Sequence, residues 1–590
     1  KNSLFSVFVA GVPELAAIMT TNQNIPTDVE HHMAPAEIKK AEELKEDIRE
    51  HDEMLIRSNH IEAAAIDEVY GRKVYIFNKI INEHIGMTWW QWGLLCVSGV
   101  GWLIDNAWLQ GVAIILPQVA NEFNVEHPEF MTVALYAGLI CGAAFWGIAA
   151  DILGRRLSFN ATLFIAGVFG IAAGGPTNFT ALGGLLAALG FGLGGSLPVD
   201  GMLFLEFLPG NSQYLLTLLS VFWSLGQLMA SLIGWGFIAT WHCVDAQCSV
   251  KNGSGWVTDN VGWRYFNFTI GAFTLACFFL RFVVFKIPES PKFLLSKGRD
   301  EEAVEAMKRF AIMCGKPLPD DMLTVEILRS AAGQDDAMDD DPSVEELIHE
   351  HPKNLVGKTI HDIRMFMFNA RTIDMRKSIT HIKPLFSTFA LGYTTVVIWI
   401  LWAFIGLAYP LFNSFILLYL EKSGGGSDVT TNSMSETYRN YVIISVCGIP
   451  GSLLATWMVN LPRSGRRGAM AIGTLLSGIF LYGFTAMSTS DGTLAFSCVT
   501  AFTQNIMYGV LYCYTPESFP APMRGTADGI ASSLNRMFGI LAPIIKIYGV
   551  PADATKTQAS VPIYVGATLF MISGLLMLTL RVETAARTSL

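Results

Sequence analysis

Asp105 is the residue whose chemistry is hardest to explain away. It lies in Gly101-Trp-Leu-Ile-Asp105-Asn-Ala-Trp-Leu-Gln-Gly111, with about a dozen apolar or small residues on either side. A charged carboxylate facing lipid in such a run is costly, so it must face a watery cavity, find a partner or hold a proton. A carboxyl that holds a proton when buried and yields it when hydrated suits proton coupling. A structural hydrogen bond to another helix and direct substrate contact are the other two roles open to it.

Other polar groups recur in apolar runs. Asp200 follows Pro198 within a glycine-rich segment, and Arg536 is a second intramembrane charge, suited to an anionic substrate or to an internal acid. Gln110, Trp223, Gln227, Tyr409, Asn413, Gln504, Asn505 and Tyr508 are further candidates to line a central cavity. Pro410, beside Asn413, removes a helical hydrogen bond and marks a gate. Nothing points to a catalytic residue, cofactor or metal: nine cysteines show no CxxC pair, and no nucleophile–base pair or phosphate loop stands in a sensible context. Gly190-x-Gly192-x-x-Gly195 lies inside an apolar run without the strand-turn-helix context of a dinucleotide site, and close helix packing accounts for it better.

Charged bends make a third group. Asp151-Ile-Leu-Gly154-Arg155-Arg156 joins two apolar runs, and 311 residues later Gly465-Arg466-Arg467 repeats its end. At the same offset Glu206-Phe-Leu-Pro209 returns as Glu517-Ser-Phe-Pro520, so the chain reads as duplicated. Each glutamate is a natural partner for the arginines of its own half, and with Arg524 these groups form a candidate latch that breaks as the halves rock.

The elements that must carry these groups are membrane spans. Hydrophobic residues make up 52% of the chain and charged ones 15%, with mean hydropathy +0.41, more apolar surface than a soluble core requires. Six runs long enough to cross a bilayer fall at about 92–118, 131–150, 157–175, 179–205, 214–240 and 263–286. Six more fall at about 389–419, 438–459, 469–488, 493–514, 526–548 and 561–580. The predicted fold is an all-α membrane protein of twelve helices in two six-helix pseudo-repeats.

The expected organisation is a cytosolic tail (1–88) with an amphipathic helix from Ala36 to Glu68, a first bundle (89–295), a cytosolic linker (296–386), a second bundle (387–582) and a short tail (583–590). An acidic patch, Asp335 to Asp341, marks the linker as solvated. The apolar run Leu4 to Met19, interrupted by Pro13 and Glu14, reads as a poor signal sequence or as a misplaced start. Trp89, Trp90 and Trp92 mark a membrane interface.

Basic residues concentrate in the loops after spans two, six, eight and ten, which places those loops and both termini in the cytoplasm, with the plasma membrane the expected location. Cys243 and Cys248 then fall outside, as a candidate disulfide, with candidate glycosylation sites at Asn178 and Asn252. The net charge, 40 − 50 = −10, argues against nucleic acid as a partner. The expected partners are a lipid bilayer, a small-molecule substrate and protons; the oligomeric state is left open.

The repeated bends, Pro288-Glu-Ser-Pro-Lys-Phe293 after span six and Pro516-Glu-Ser-Phe-Pro520 running on to Thr526 resemble the major facilitator superfamily, sugar-porter branch, over about 90–582. Gly194 to Gly201 and Leu407 to Phe415 look closest to fungal sugar-transporter-like proteins related to the synaptic vesicle glycoprotein and organic-ion carriers. The resemblance implies a transporter working by alternating access on a sugar or another small polar organic solute, with the span-one acid a proton carrier. It also admits an organic-anion or organic-cation carrier, or a nutrient sensor on the same fold. Span seven lacks the Gln-Gln-x-Ser-Gly run with which hexose carriers of that branch hold sugar, and Pro462 and Gln213 replace the repeat counterparts of Asp151 and Arg524.

Overall fold

A computed structural model describes residues 68–153, 155–243, 251, 253–284, 287–319, 322–331, 383–417, 420, 425–426, 428–429, 433–461, 465–487, 489–519, 521–549 and 560–581. Residues 36–67, the acidic patch, Gly154, Cys248, Asn252 and the side chains of Asp151 and Arg156 lie outside that description.

The first half begins with α1 (Glu68–Lys79) and a π-helical turn (Ile80–Ile85). Its spans are α2 (Trp89–Phe123), α3 (Phe130–Leu153), α4 (Arg155–Ala172), α5 and α6 (Phe179–Leu193, Ser196–Glu206), α7 (Leu215–Ile238) and α8 (Gly262–Phe279), the last ending in a π-turn (Leu280–Val284). Short helices α9 (Pro291–Ser296), α10 (Asp300–Met313) and α11 (Val325–Ala331) follow. The second half holds α12 (Phe389–Asn413), α13 (Met434–Met458), α14 (Gly465–Ala486), α15 (Ser490–Glu517), α16 and α17 (Ala521–Gly539, Leu541–Gly549) and α18 (Val561–Leu578). A two-residue antiparallel ladder, Gly425–Gly426 with Asp428–Val429, and an isolated antiparallel bridge between Lys251 and Val257 are the strand pairings among the described residues.

Eleven of these helical stretches are long and apolar enough to cross a membrane; α4 is the twelfth, its apolar part (Ser158–Ala172) shorter. Span four breaks at Gly194 and Gly195, where it packs tightly on span two. A Cβ on Gly190 would lie 2.4 Å from the Leu135 carbonyl oxygen, and one on Gly195 would lie 2.2 Å from the Trp146 Cβ. The glycine pattern therefore sets a close helix crossing. Polar caps begin several spans: Ser433 and Glu436 bond each other's backbone N–H at 3.3 and 3.2 Å ahead of α13.

The halves meet along spans two and eleven and along spans five and eight. At the latter seam Ser224 and Ser452 hydroxyls lie 2.9 Å apart and Ser231 donates to Ser445 at 3.2 Å, interhelical bonds suited to an apolar surround. Large apolar side chains such as Phe164, Leu232, Trp457 and Leu575 point outward, as lipid contact requires.

One end of the bundle, where Arg155, Glu206, Arg466 and Glu517 gather, is the basic end. There α1 and the first part of the linker do not stand apart as tail and solvated loop. Phe77, Ile81 and Ile85 pack with Phe207, Leu294, Met307, Phe310 and Leu328 in one apolar core. Buried Lys73 pairs with Asp300 at 2.7 Å, and Arg329 reaches the same carboxylate at 3.2 Å. Boundaries at 88 and 296 thus cut through a single packed cap. Trp90 turns into that cap, its ring 5.4 Å from Phe207 and 5.2 Å from Phe310, whereas Trp89 and Trp92 are exposed.

Candidate functional site

Spans one, two, five, seven, ten and eleven line a central cavity. Of the sequence candidates, Gln110, Trp223, Tyr409, Asn413, Tyr508 and Arg536 line it, as does Pro410. Helix α12 runs through Pro410 to end at Asn413. Thr132, Tyr136, Tyr512 and Asn535 line it too, and hydropathy gave no reason to single them out.

Towards the end opposite the basic one, Gln110 ties the halves together. Its amide nitrogen donates to the Tyr409 hydroxyl at 3.1 Å, and its amide oxygen accepts from the Tyr441 hydroxyl at 2.5 Å. Tyr438 adds a bond to the Ile114 carbonyl at 2.8 Å. Towards the basic end Tyr512 lies edge-on between Trp102 and Trp402, at 4.9 and 4.7 Å, closing the floor with aromatic rings from both halves.

Two buried charge pairs lie beside this cavity. Arg536 reaches across from span eleven to Asp105 on span one, Nη2 to Oδ2 3.6 Å. That separation exceeds a hydrogen bond, and neither Asp105 Oδ2 nor Arg536 Nε has a hydrogen-bond partner. Asp105 Oδ1 accepts a long bond from Ser196 at 3.4 Å. Of this pair only Arg536 lines the cavity; Asp105 does not, and nor does Asp200, which faces Arg281, at the π-turn ending span six, through paired contacts of 3.3 and 3.1 Å. Sequence reasoning missed Arg281, although an arginine inside an apolar run was the same signal that drew notice to Arg536.

The remaining candidates lie outside the lining. Gln504 accepts from Asn413 at 3.0 Å, Asn505 accepts from Ser224 at 2.8 Å, and Gln227 is buried on span five. At the basic end Arg155 pairs with Glu206, and its backbone N–H donates to Glu289 at 3.0 Å. Arg466 pairs with Glu517 at 3.0 and 3.1 Å, Arg467 donates to the Leu578 carbonyl at 3.0 Å, and Arg524 donates to the Pro516 carbonyl at 2.7 Å. Both glutamate–arginine pairs run within their own half, span three to four and span nine to ten, and Gly465 precedes Arg466 at the start of α14. Lys292 is buried nearby, and burial, followed by the Arg524 and Arg155 charges, pushes its pKa down to about 7.

At the opposite end Cys243 is disulfide-bonded, and the other seven described cysteines are free. Asn178 is exposed and caps α5, accepting from the Ala181 N–H at 2.7 Å.

Two six-helix halves around a central cavity give the architecture, and sequence comparison gives the family: the Major Facilitator Superfamily profile matches residues 92–543. The chain belongs to the Major Facilitator Superfamily. It is therefore a multi-pass membrane transporter and not an enzyme. Among superfamily members it is 41% identical over 559 residues to "MFS siderochrome iron transporter 1" of Ceriporiopsis subvermispora, covering 94% of this chain and 100% of that protein. It is 26% identical over 473 residues to the niacin transporter NiaP of Acinetobacter baylyi, covering 80% of this chain and 89% of that one. The proton:xylose symporter XylE bound to 6-bromo-6-deoxy-D-glucose shares the fold, with a TM-score of 0.59 at 16% identity over 85% of this chain and 97% of that chain.

Proposed function

We propose that this transporter carries a small organic anion, most simply a monocarboxylate, together with a proton, and that its basic end faces the cytoplasm at the plasma membrane. The carrying observation is the incompletely bonded Asp105–Arg536 pair across the two halves. A protonated Asp105 leaves Arg536 as an unmatched buried cation at the cavity wall, and a substrate carboxylate restores the balance bidentately. Proton and anion thus each favour the other's binding, which is the thermodynamic content of symport. The aromatic lining of Trp223, Tyr409, Tyr508 and Tyr512 suits a flat or apolar body on that carboxylate. The niacin carrier among the relatives moves a molecule of that description. A neutral sugar would leave Arg536 without a counter-charge whenever Asp105 is protonated. The orientation rests on the basic loops and on the disulfide-bonded Cys243 at the other end.

A thermal-shift comparison of nicotinate, xylose and carnitine on purified protein tests the substrate class. Nicotinate at a hundredfold excess over its Kd should stabilise the wild type by about 2.7 kcal/mol and leave Arg536→Gln unmoved. Equal stabilisation of both proteins by xylose, with none by nicotinate, would overturn the reading.

A further inference from the structure

Asp200 and Asp105 are neighbours across one helix crossing. A Cβ on Gly101 would lie 1.7 Å from Asp200 Oδ2, and Gly101 precedes Asp105 by four residues on the same face of α2. In the opposite sense, Ser196, whose hydroxyl bonds Asp105, precedes Asp200 by four residues on α6. The two carboxyls are therefore staggered by about one helical turn, ~6 Å along the helices, with Asp200 on the side of the basic end.

Arg281 does not depend on Asp200 alone. It also donates to the carbonyls of Phe159 at 3.0 Å and Val97 at 2.8 Å, and its guanidinium lies 3.5 Å over the Phe159 ring. With Asp200 neutral, Arg281 keeps these two carbonyl acceptors and the Phe159 ring, although its charge then has no counter-ion. The charged groups facing Asp200 from the packed helices are Arg281 and Asp105. On span three Arg155 is engaged by Glu206 at the far end of α6, and on span eleven Asp528 faces Arg524.

We propose that Asp200 is a second proton-carrying residue of the transport cycle, receiving from Asp105 the proton taken up at the cavity. The inference rests on the proton-coupled reading above. An Asp105 O–H bond breaks and an Asp200 O–H bond forms, so Asp105 returns to carboxylate and Asp200 becomes neutral. Asp105 then reclaims Arg536 and expels the bound anion, while the proton sits one turn nearer the basic end. Arg281 lies in the π-turn that ends span six.

Infrared difference spectroscopy of purified protein in proteoliposomes after an acid jump, with no substrate, provides the test. The wild type should show two protonated-carboxyl bands, one lost in Asp105→Asn and the other lost in Asp200→Asn. In Asp105→Asn the surviving Asp200 band should also rise more slowly than in the wild type. An Asp200→Asn spectrum identical to that of the wild type, or an Asp200 band whose rise ignores Asp105, would overturn the proposal. Should Asp200→Asn fail to fold, Asp200→Asn/Arg281→Met removes both charges and gives the same reading. Absence of any Asp105 band would instead count against the proton-coupled reading itself.

Discussion

Gly101 shows how little room the two charge pairs leave. Any side chain there displaces Asp200 or the Arg281 guanidinium, which would lie 2.7 Å from the new Cβ. Gly101→Ala should therefore lose about 3–5 kcal/mol, the cost of breaking a buried pair, measurable as a lower melting temperature in detergent. Arg536→Lys keeps the charge but loses the planar fork, so it should retain weak carboxylate binding where Arg536→Gln retains none. The isolated charges Asp105 and Arg536 were visible in the sequence because lipid makes them expensive. Their pairing was not, since nothing in the chain relates residues 105 and 536 except the packing of spans one and eleven. Asp200 and Arg281 illustrate the same gap: each lies within an expected span, but only the helix crossing shows that they meet.

Among elements, hydropathy and length sufficed for the spans, whose expected edges fall within a few residues of the helices for most of them. The cap at the basic end was harder to see. Ala303, Met307 and Phe310 recur at helical spacing, but the high charge of the surrounding sequence masked that stripe, and α1 packs on it from far away in sequence. Asp300→Ala should orphan Lys73 and loosen α1, read as faster limited proteolysis between residues 68 and 88. Lys292 gives this end a pH dependence. Its pKa in the buried site, about 7, lies below the ordinary lysine value of 10.5, so the buried arrangement binds fewer protons than an exposed one. That arrangement gains stability as pH rises from about 7 towards 10.5, and the penalty is fully present below 7. Spin-label distances between the halves at the basic end should shorten over that window, and Lys292→Met should abolish the change.

At the scale of the whole molecule, the duplicated sequence supplies two similar halves, and the functional asymmetry lies in the charges each contributes. Asp105, Asp200 and Arg281 come from the first half and Arg536 from the second, so in the proposed cycle the Asp105–Arg536 pair is made or broken as the halves rock. The glutamate–arginine pairs at the basic end stay within single halves. The most direct test is nicotinate uptake into proteoliposomes under an inward proton gradient, comparing wild type with Asp105→Asn. The wild type should accumulate nicotinate above its external concentration, while Asp105→Asn should exchange labelled for unlabelled nicotinate without accumulating it. Accumulation by Asp105→Asn at the wild-type level would contradict the account.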